Sequence, residues 1–127
     1  MKSIFALHHV SLIVANTERA LEFYRDILGL SVNPQRPDLG YPGAWLDINA
    51  QQQLHLLELP NPEQGLSRPA HGGRDRHFAL YCHDLVALAQ QLSQANIAFS
   101  RSRSGRAALF CRDPDENAVE IMQYVPD

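Results

Sequence analysis

Two stretches decide the fold: LHHVSLIVANTERAL at residues 7–21 and RHFALYCHDLVAL at residues 76–88. Each opens with a histidine at the head of an apolar strand. Each then meets an Asx residue, Asn16 or His83-Asp84, suited to cap a helix, and continues with apolar residues at helical spacing. His9 and His77 fall at the same place. A second pair of stretches repeats further on, LHLLEL at 54–59 and VEIMQY at 119–124, where His55 falls on Glu120 and Glu58 on Gln123. The shift is 68 residues for the first pair (9 to 77) and 65 for the second (55 to 120), so a gap of three lies in the intervening loops.

Working outward, residues 4–14 (IFALHHVSLIV) are rich in β-branched and apolar types and predict a strand. Asn16-Thr17 caps a helix of about three turns that carries Ala20, Leu21, Phe23, Tyr24, Ile27 and Leu28 and stops at Gly29. Short strands are expected near 30–33, 43–48 and 53–59. PNPEQGLSRPAHGG (60–73) has the composition of a loop. In the second half a strand over 76–82 and a helix over 85–95 precede three more strands, with the turn sequence DPDEN between the last two. The chain therefore reads as α+β, with two βαβββ modules in one domain over 1–127 and mixed sheets curled around a metal site. Module one covers about 4–60, the linker about 61–73 and module two about 74–125.

Composition narrows the function classes. With 127 residues, 45% hydrophobic and 20% charged, the chain is expected to form one folded domain rather than a disordered segment. A net charge of −3 argues against nucleic acid as a partner, which wants a basic face. No run approaches the roughly 20 apolar residues of a membrane helix, and the histidine pair near the start makes a poor secretory signal. The expectation is a soluble cytoplasmic protein with Cys82 and Cys111 as reduced thiols.

A repeat of this kind would bring His9, His55, His77 and Glu120 together from four strands. Imidazole and carboxylate suit divalent Zn, Ni, Mn, Co or Fe, and two histidines with one carboxylate can leave coordination positions open for substrate. The plain alternative for a lone strand histidine is a hydrogen-bonded core residue. Glu120, flanked by Val119, Ile121 and Met122, resists that reading, because a carboxylate on an inward face needs a partner, and a cation would serve. His9 is preferred over His8 because it matches His77, and His55 against Glu58 is a parity choice of the same kind. His71 and His83 read as surface residues. Arginines cluster in GGRDRH (72–77) and SRSRSGRAALF (100–110). Arg106 is the preferred anchor for an anionic substrate and Arg74 a second candidate, although solvated loop charge, with Asp75 pairing an arginine, is the ordinary explanation. Tyr41, Trp45 and Phe110 are candidate pocket walls, and ordinary core or interface residues otherwise.

HHVSLIVANTERALEFYRDILGL (8–30), DRHFALYCHDL (75–85) and LFCRDPDENAVEIMQY (109–124) resemble the vicinal-oxygen-chelate superfamily of glyoxalases, extradiol dioxygenases and bleomycin-resistance proteins. The resemblance spans nearly the whole chain. It implies one divalent metal held by His9, His77 and Glu120, with His55 in a place where other members carry Glu, Gln or His. It also implies a homodimer with the site at the interface, His9 and His55 from one subunit and His77 and Glu120 from the other. The implied function is a glyoxalase-like lyase or isomerase on a small oxygen-chelating substrate, with Glu120 as ligand and base and Glu58 as a weaker base candidate. The alternatives are an Fe(II) extradiol-type dioxygenase, a metal-free small-molecule-binding or resistance protein, and thiol transfer of the fosfomycin-resistance type.

Overall fold

In a strand successive side chains point to opposite faces, so the apolar positions of each module line one side of a sheet and are covered there by a helix. The computed structural model describes residues 2–127; Met1, part of the expected domain, lies outside the described residues. The chain divides into two compact units, Met1–Pro62 and Glu63–Asp127.

The first unit runs β1 (His9–Val14), α1 (Thr17–Leu21), a π-helix (Glu22–Ile27), β2 (Ser31–Asn33), β3 (Gly43–Asp47) and β4 (Gln53–Glu58). The second begins with a 3-10 turn (Gly72–Arg74). It continues with β5 (His77–Cys82), α2 (Leu85–Gln94), β6 (Phe99–Arg101), β7 (Ala108–Arg112) and β8 (Ala118–Gln123). The sheet orders are β1-β4-β3-β2 and β5-β8-β7-β6, with a parallel pair at β1/β4 and again at β5/β8. The expected α+β plan of two βαβββ modules is therefore the observed one. Ser31–Asn33 maps onto Phe99–Arg101 with a shift of 68, and Gly43–Asp47 onto Ala108–Arg112 with a shift of 65. The gap of three thus falls between those strands, in residues 102–107 as against 34–42.

In the first unit Val14, Ala44, Leu46, Leu54 and Leu56 are buried, as are Ala20, Leu21, Phe23 and Tyr24 of the helical segment beside β4. In the second, Leu109, Cys111, Val119 and Ile121 are buried with Leu85, Ala89 and Leu92 of α2. Each fully buried leucine contributes about 2 kcal/mol of apolar transfer. Backbones approach closely at Gly43, where a Cβ would collide with the carbonyl oxygen of Leu56.

Both helices are capped twice, in the same way. Asn16 Oδ1 accepts from the Arg19 amide at 2.9 Å, and Asp84 Oδ1 from the Ala87 amide at 3.0 Å. The last residue of each fourth strand then reaches the first amide of its helix. Glu58 Oε1 accepts from Thr17 N–H at 2.7 Å, and Gln123 Oε1 from Leu85 N–H at 2.9 Å. This is the physical content of the Glu58–Gln123 match, and it ties the end of each parallel pair to the start of the helix that crosses over it.

Two expectations need adjustment. Pairing begins at His9 rather than at residue 4, because β4 starts at Gln53 and residues 48–52 turn away, leaving Ile4 and Phe5 unpaired and exposed. The first helix switches to π geometry after Leu21; its adjacent rings Phe23 and Tyr24 are both buried, packed edge to face at 4.8 Å. Gly29, at φ 81°, follows where a helix end calls for a left-handed residue. Among the described residues no helix is long and apolar enough to cross a membrane.

Removing the second caps should show their strength. Glu58→Ala and Gln123→Ala are each expected to lower unfolding free energy by about 1–2 kcal/mol in urea titrations. Burial pushes the Cys111 thiol up to about 12. In the native protein Cys111 should therefore resist iodoacetamide at about pH 8 and react only after denaturation, as read by mass spectrometry.

Candidate functional site

Parallel pairing in each module places the first-strand histidine and the fourth-strand candidate on the sheet face turned away from the helix. In the first unit His9 lies opposite Gln53, and Ser11 opposite His55, so His9 and His55 are diagonal neighbours on one face. Their rings stack at 4.0 Å with 16° between planes. Trp45, the register partner of His55 on β3, stacks on His55 at 4.5 Å and 9°. His8 does not join this stack; its Nδ1 lies 2.9 Å from His9 Nδ1, with the two rings edge to face.

His55 is nearly buried, and its Nε2 has a partner. Gln53 Nε2 donates to Asp47 Oδ1 at 3.1 Å, which leaves Gln53 Oε1 as acceptor for His55 Nε2–H at 2.9 Å. Asn33 Nδ2 donates to the same Asp47 at 3.1 Å. Burial lowers the His55 pKa, with smaller contributions from His9, His8 and Arg36, so the ring is neutral at neutral pH. A neutral imidazole can ligate metal, yet here Nε2 is held by Gln53 and the lone pair sits on Nδ1.

In the second unit Ala79 pairs with Glu120 and His77 with Ala118, which sets His77 and Glu120 on one face. His77 Nε2 lies 3.4 Å from Glu120 Oε1. His77 Nδ1 donates to the Asp75 carbonyl at 2.8 Å, and this fixes the tautomer. His77 Nε2 thus faces a carboxylate oxygen across a gap that a proton or a metal cation can fill. Glu120 is buried, and its Oε2 has no hydrogen-bond partner. The donor set of this pair thus fits a divalent first-row ion. Phe110, the register partner of Glu120 on β7, meets His77 edge to face at 5.1 Å. It occupies the position that Trp45 holds in the first unit.

Asp75 organises the surroundings of His77. Its carboxylate accepts from Arg112 at 2.9 Å and from Arg68 at 3.2 Å. Burial acts to raise its pKa, but the Arg112 hydrogen bond, the Arg76 amide and the Arg68 charge hold it below the ordinary value. Arg76 pairs with Glu63. Arg106, 59% exposed, brings Nη2 to 3.7 Å from Glu120 Oε2, while its Nε donates to Ser104 Oγ at 3.0 Å. Arg74 is exposed at the end of the 3-10 turn.

The structure therefore brings His9 to His55, and His77 to Glu120 with Arg106 beside it. Among the described residues no group of three or more His, Cys, Asp or Glu side chains is placed to hold a metal ion. Two expectations are corrected. Glu58 is neither a free base nor a fourth ligand, because it lies on the helix side of β4 and caps α1. His71 is more than a surface residue: its Nδ1 accepts from the Gly73 amide at 2.9 Å and its ring lies against Phe110. Tyr41 has the Arg36 guanidinium over its ring. Sequence reasoning missed Gln53, which period two places on the face of His55, and it gave Asp75 only an arginine to pair with, not the positioning of His77.

Comparison with known proteins fits this arrangement. The model of the Glyoxalase/Bleomycin resistance protein/Dioxygenase superfamily matches residues 6–121. Glyoxylase I 4 of Arabidopsis thaliana is 29% identical over 122 residues, covering 91% of this chain and 69% of the relative. In fold, the chain is similar to the trypanothione-dependent glyoxalase I of Leishmania major, with a TM-score of 0.72 at 19% identity over 94% of this chain and 87% of that one. It is equally similar to the antibiotic binding protein TnmS3 from Streptomyces sp. CB03234, with a TM-score of 0.73 at 19% identity over 98% of this chain and 100% of that one. With its strands, caps and paired ligand candidates in that order, the chain belongs to the Glyoxalase/Bleomycin resistance protein/Dioxygenase superfamily.

Proposed function

We propose that the protein is a divalent-metal-dependent lyase or isomerase of the glyoxalase type, acting in the cytoplasm on a small anionic substrate that presents two neighbouring oxygens. One observation carries this reading: the tautomer-fixed His77 turns its Nε2 toward the buried, under-satisfied carboxylate of Glu120. The kinship with glyoxalase I proteins supports it. His9, His55, His77 and Glu120 would hold the ion. Each pair supplies two donors, and catalytic first-row sites usually take three or more from the protein, which favours a combination of the pairs. We assign the combination to a homodimer, in which His9 and His55 of one protomer meet the partner subunit's His77 and Glu120. His55 must first release Gln53 to offer Nε2.

When bound, a divalent ion supplies Lewis-acid polarisation of a substrate oxygen. The chain does the rest. Asp75 holds His77 in its ligating tautomer. Glu120, shielded by Phe110, keeps an oxygen able to take and return a substrate proton. Arg106, with Arg74 as a second candidate, grips the substrate's anionic group through the guanidinium fork.

Elemental analysis of tag-free protein tests the ligand set. About one ion per chain is expected in the wild type, lost in His9→Ala, His77→Ala and Glu120→Gln while circular dichroism stays native. Full metal in any variant removes that residue from the set. No metal after exposure to Zn, Ni, Mn, Co and Fe(II) in turn overturns the proposal, and selective retention of iron moves it to an extradiol-type dioxygenase. Arg106→Ala is expected to spare metal content and weaken binding of a carboxylate substrate analogue about tenfold or more, as a lost charge-assisted fork would.

A further inference from the structure

We propose that Arg106 is a swinging counter-ion, which neutralises Glu120 when no metal is held and, once a divalent cation takes over that role, turns to grip a carboxylate on the substrate. The inference rests on the metal reading above and deepens it, by naming the substrate's anionic group and the residue whose position depends on the metal.

The geometry around Glu120 carries it. The carboxylate is 5% exposed, and a charge so placed needs an opposite charge nearby. His77 gives its Nδ1 proton to the Asp75 carbonyl and turns Nε2 toward Oε1 at 3.4 Å. Among the described residues the arginine within ion-pair reach of the carboxylate is Arg106, whose Nη2 is 3.7 Å from Oε2. That is ion-pair distance but too long for a hydrogen bond, and Oε2 indeed has no hydrogen-bond partner. The arginine side chain is 59% exposed, while the oxygen it approaches belongs to a side chain only 5% exposed. Its firmest contact is local, Nε to Ser104 Oγ at 3.0 Å, and Ser104 is itself braced by Ser102 at 2.8 Å. The guanidinium is therefore tethered at the mouth of the site by its own loop and bound loosely to the carboxylate.

A divalent ion between His77 Nε2 and Glu120 would repel this guanidinium and replace it as counter-charge. The Ser104 tether on Nε would then leave the Nη donors of the guanidinium free near the site, a geometry that suits a carboxylate adjacent to the chelating oxygens. Metal and anion should thus bind cooperatively, each strengthening the other by the same factor.

Cobalt(II) titration of tag-free protein by calorimetry, in chloride and in acetate at equal ionic strength, tests this. Arg106→Gln is expected to bind cobalt about three- to tenfold more tightly than wild type in chloride, since a weakly screened competing charge is gone. Acetate should tighten cobalt binding in wild type and not in Arg106→Gln. Arg106→Lys keeps the charge without the planar fork, so it should match wild type in chloride and lose most of the acetate effect. Equal cobalt affinity for wild type and Arg106→Gln in chloride, or an acetate effect that survives in Arg106→Gln, overturns the swinging role and leaves the metal site standing. Absence of cobalt binding in wild type and Arg106→Gln alike sinks the metal reading together with it.

Discussion

Everything in each module depends on a parallel strand pair. A parallel partner cannot be reached by a tight turn, so the chain must cross over, and here the crossover consists of a helix and two further strands. The pairing aligns His9 with Gln53 and His77 with Ala118, and alternation then decides which side chains share a face. Leucines and valines go beneath the helix. Histidines, Glu120, Trp45 and Phe110 go to the other side. The strand-to-helix caps from Glu58 and Gln123 close each module on itself, so the register of the pair and the entry point of the helix are linked.

On the far side of the second sheet the governing fact is a carboxylate with too little compensation. Glu120 is buried beside its register partner Phe110, and its Oε2 has no hydrogen-bond partner. Asp75 shows the contrast. It is also poorly exposed, yet two arginines and a backbone amide satisfy it. One carboxylate is thus fully partnered and the other keeps an oxygen without a hydrogen bond, although they share one unit. The difference lies in their partners rather than in residue type.

The repeat, most strand positions, both Asx caps and the matched histidines could be read from the residues, because each leaves a local mark in spacing or alternation. The pairing of His77 with Glu120 followed from the same logic. The end of β1 at His9 did not, since residues 4–8 have strand composition and stop pairing only because β4 begins at Gln53. Glu58 was misjudged for a related reason: it sits three residues after His55, which reverses its face, and its partner Thr17 lies 41 residues away. The hold of Gln53 on His55 and of the Asp75 carbonyl on His77 depends on side-chain rotamers and backbone direction, and these write no pattern into a sequence.

The position of the three-residue difference between modules has a consequence of its own. Strands, caps and aromatic partners keep a constant shift on either side of it, so the two halves have drifted in length at one connection, between the second and third strands. In module two that connection is the serine- and arginine-rich segment 102–107; in module one it is 34–42, where Arg36 lies over Tyr41. A hairpin loop whose ends are clamped by paired strands can change length without disturbing what lies beyond them. Loop and scaffold are therefore separable in this architecture: length and composition can change at one point in each half while the repeated frame of strands and caps stays intact.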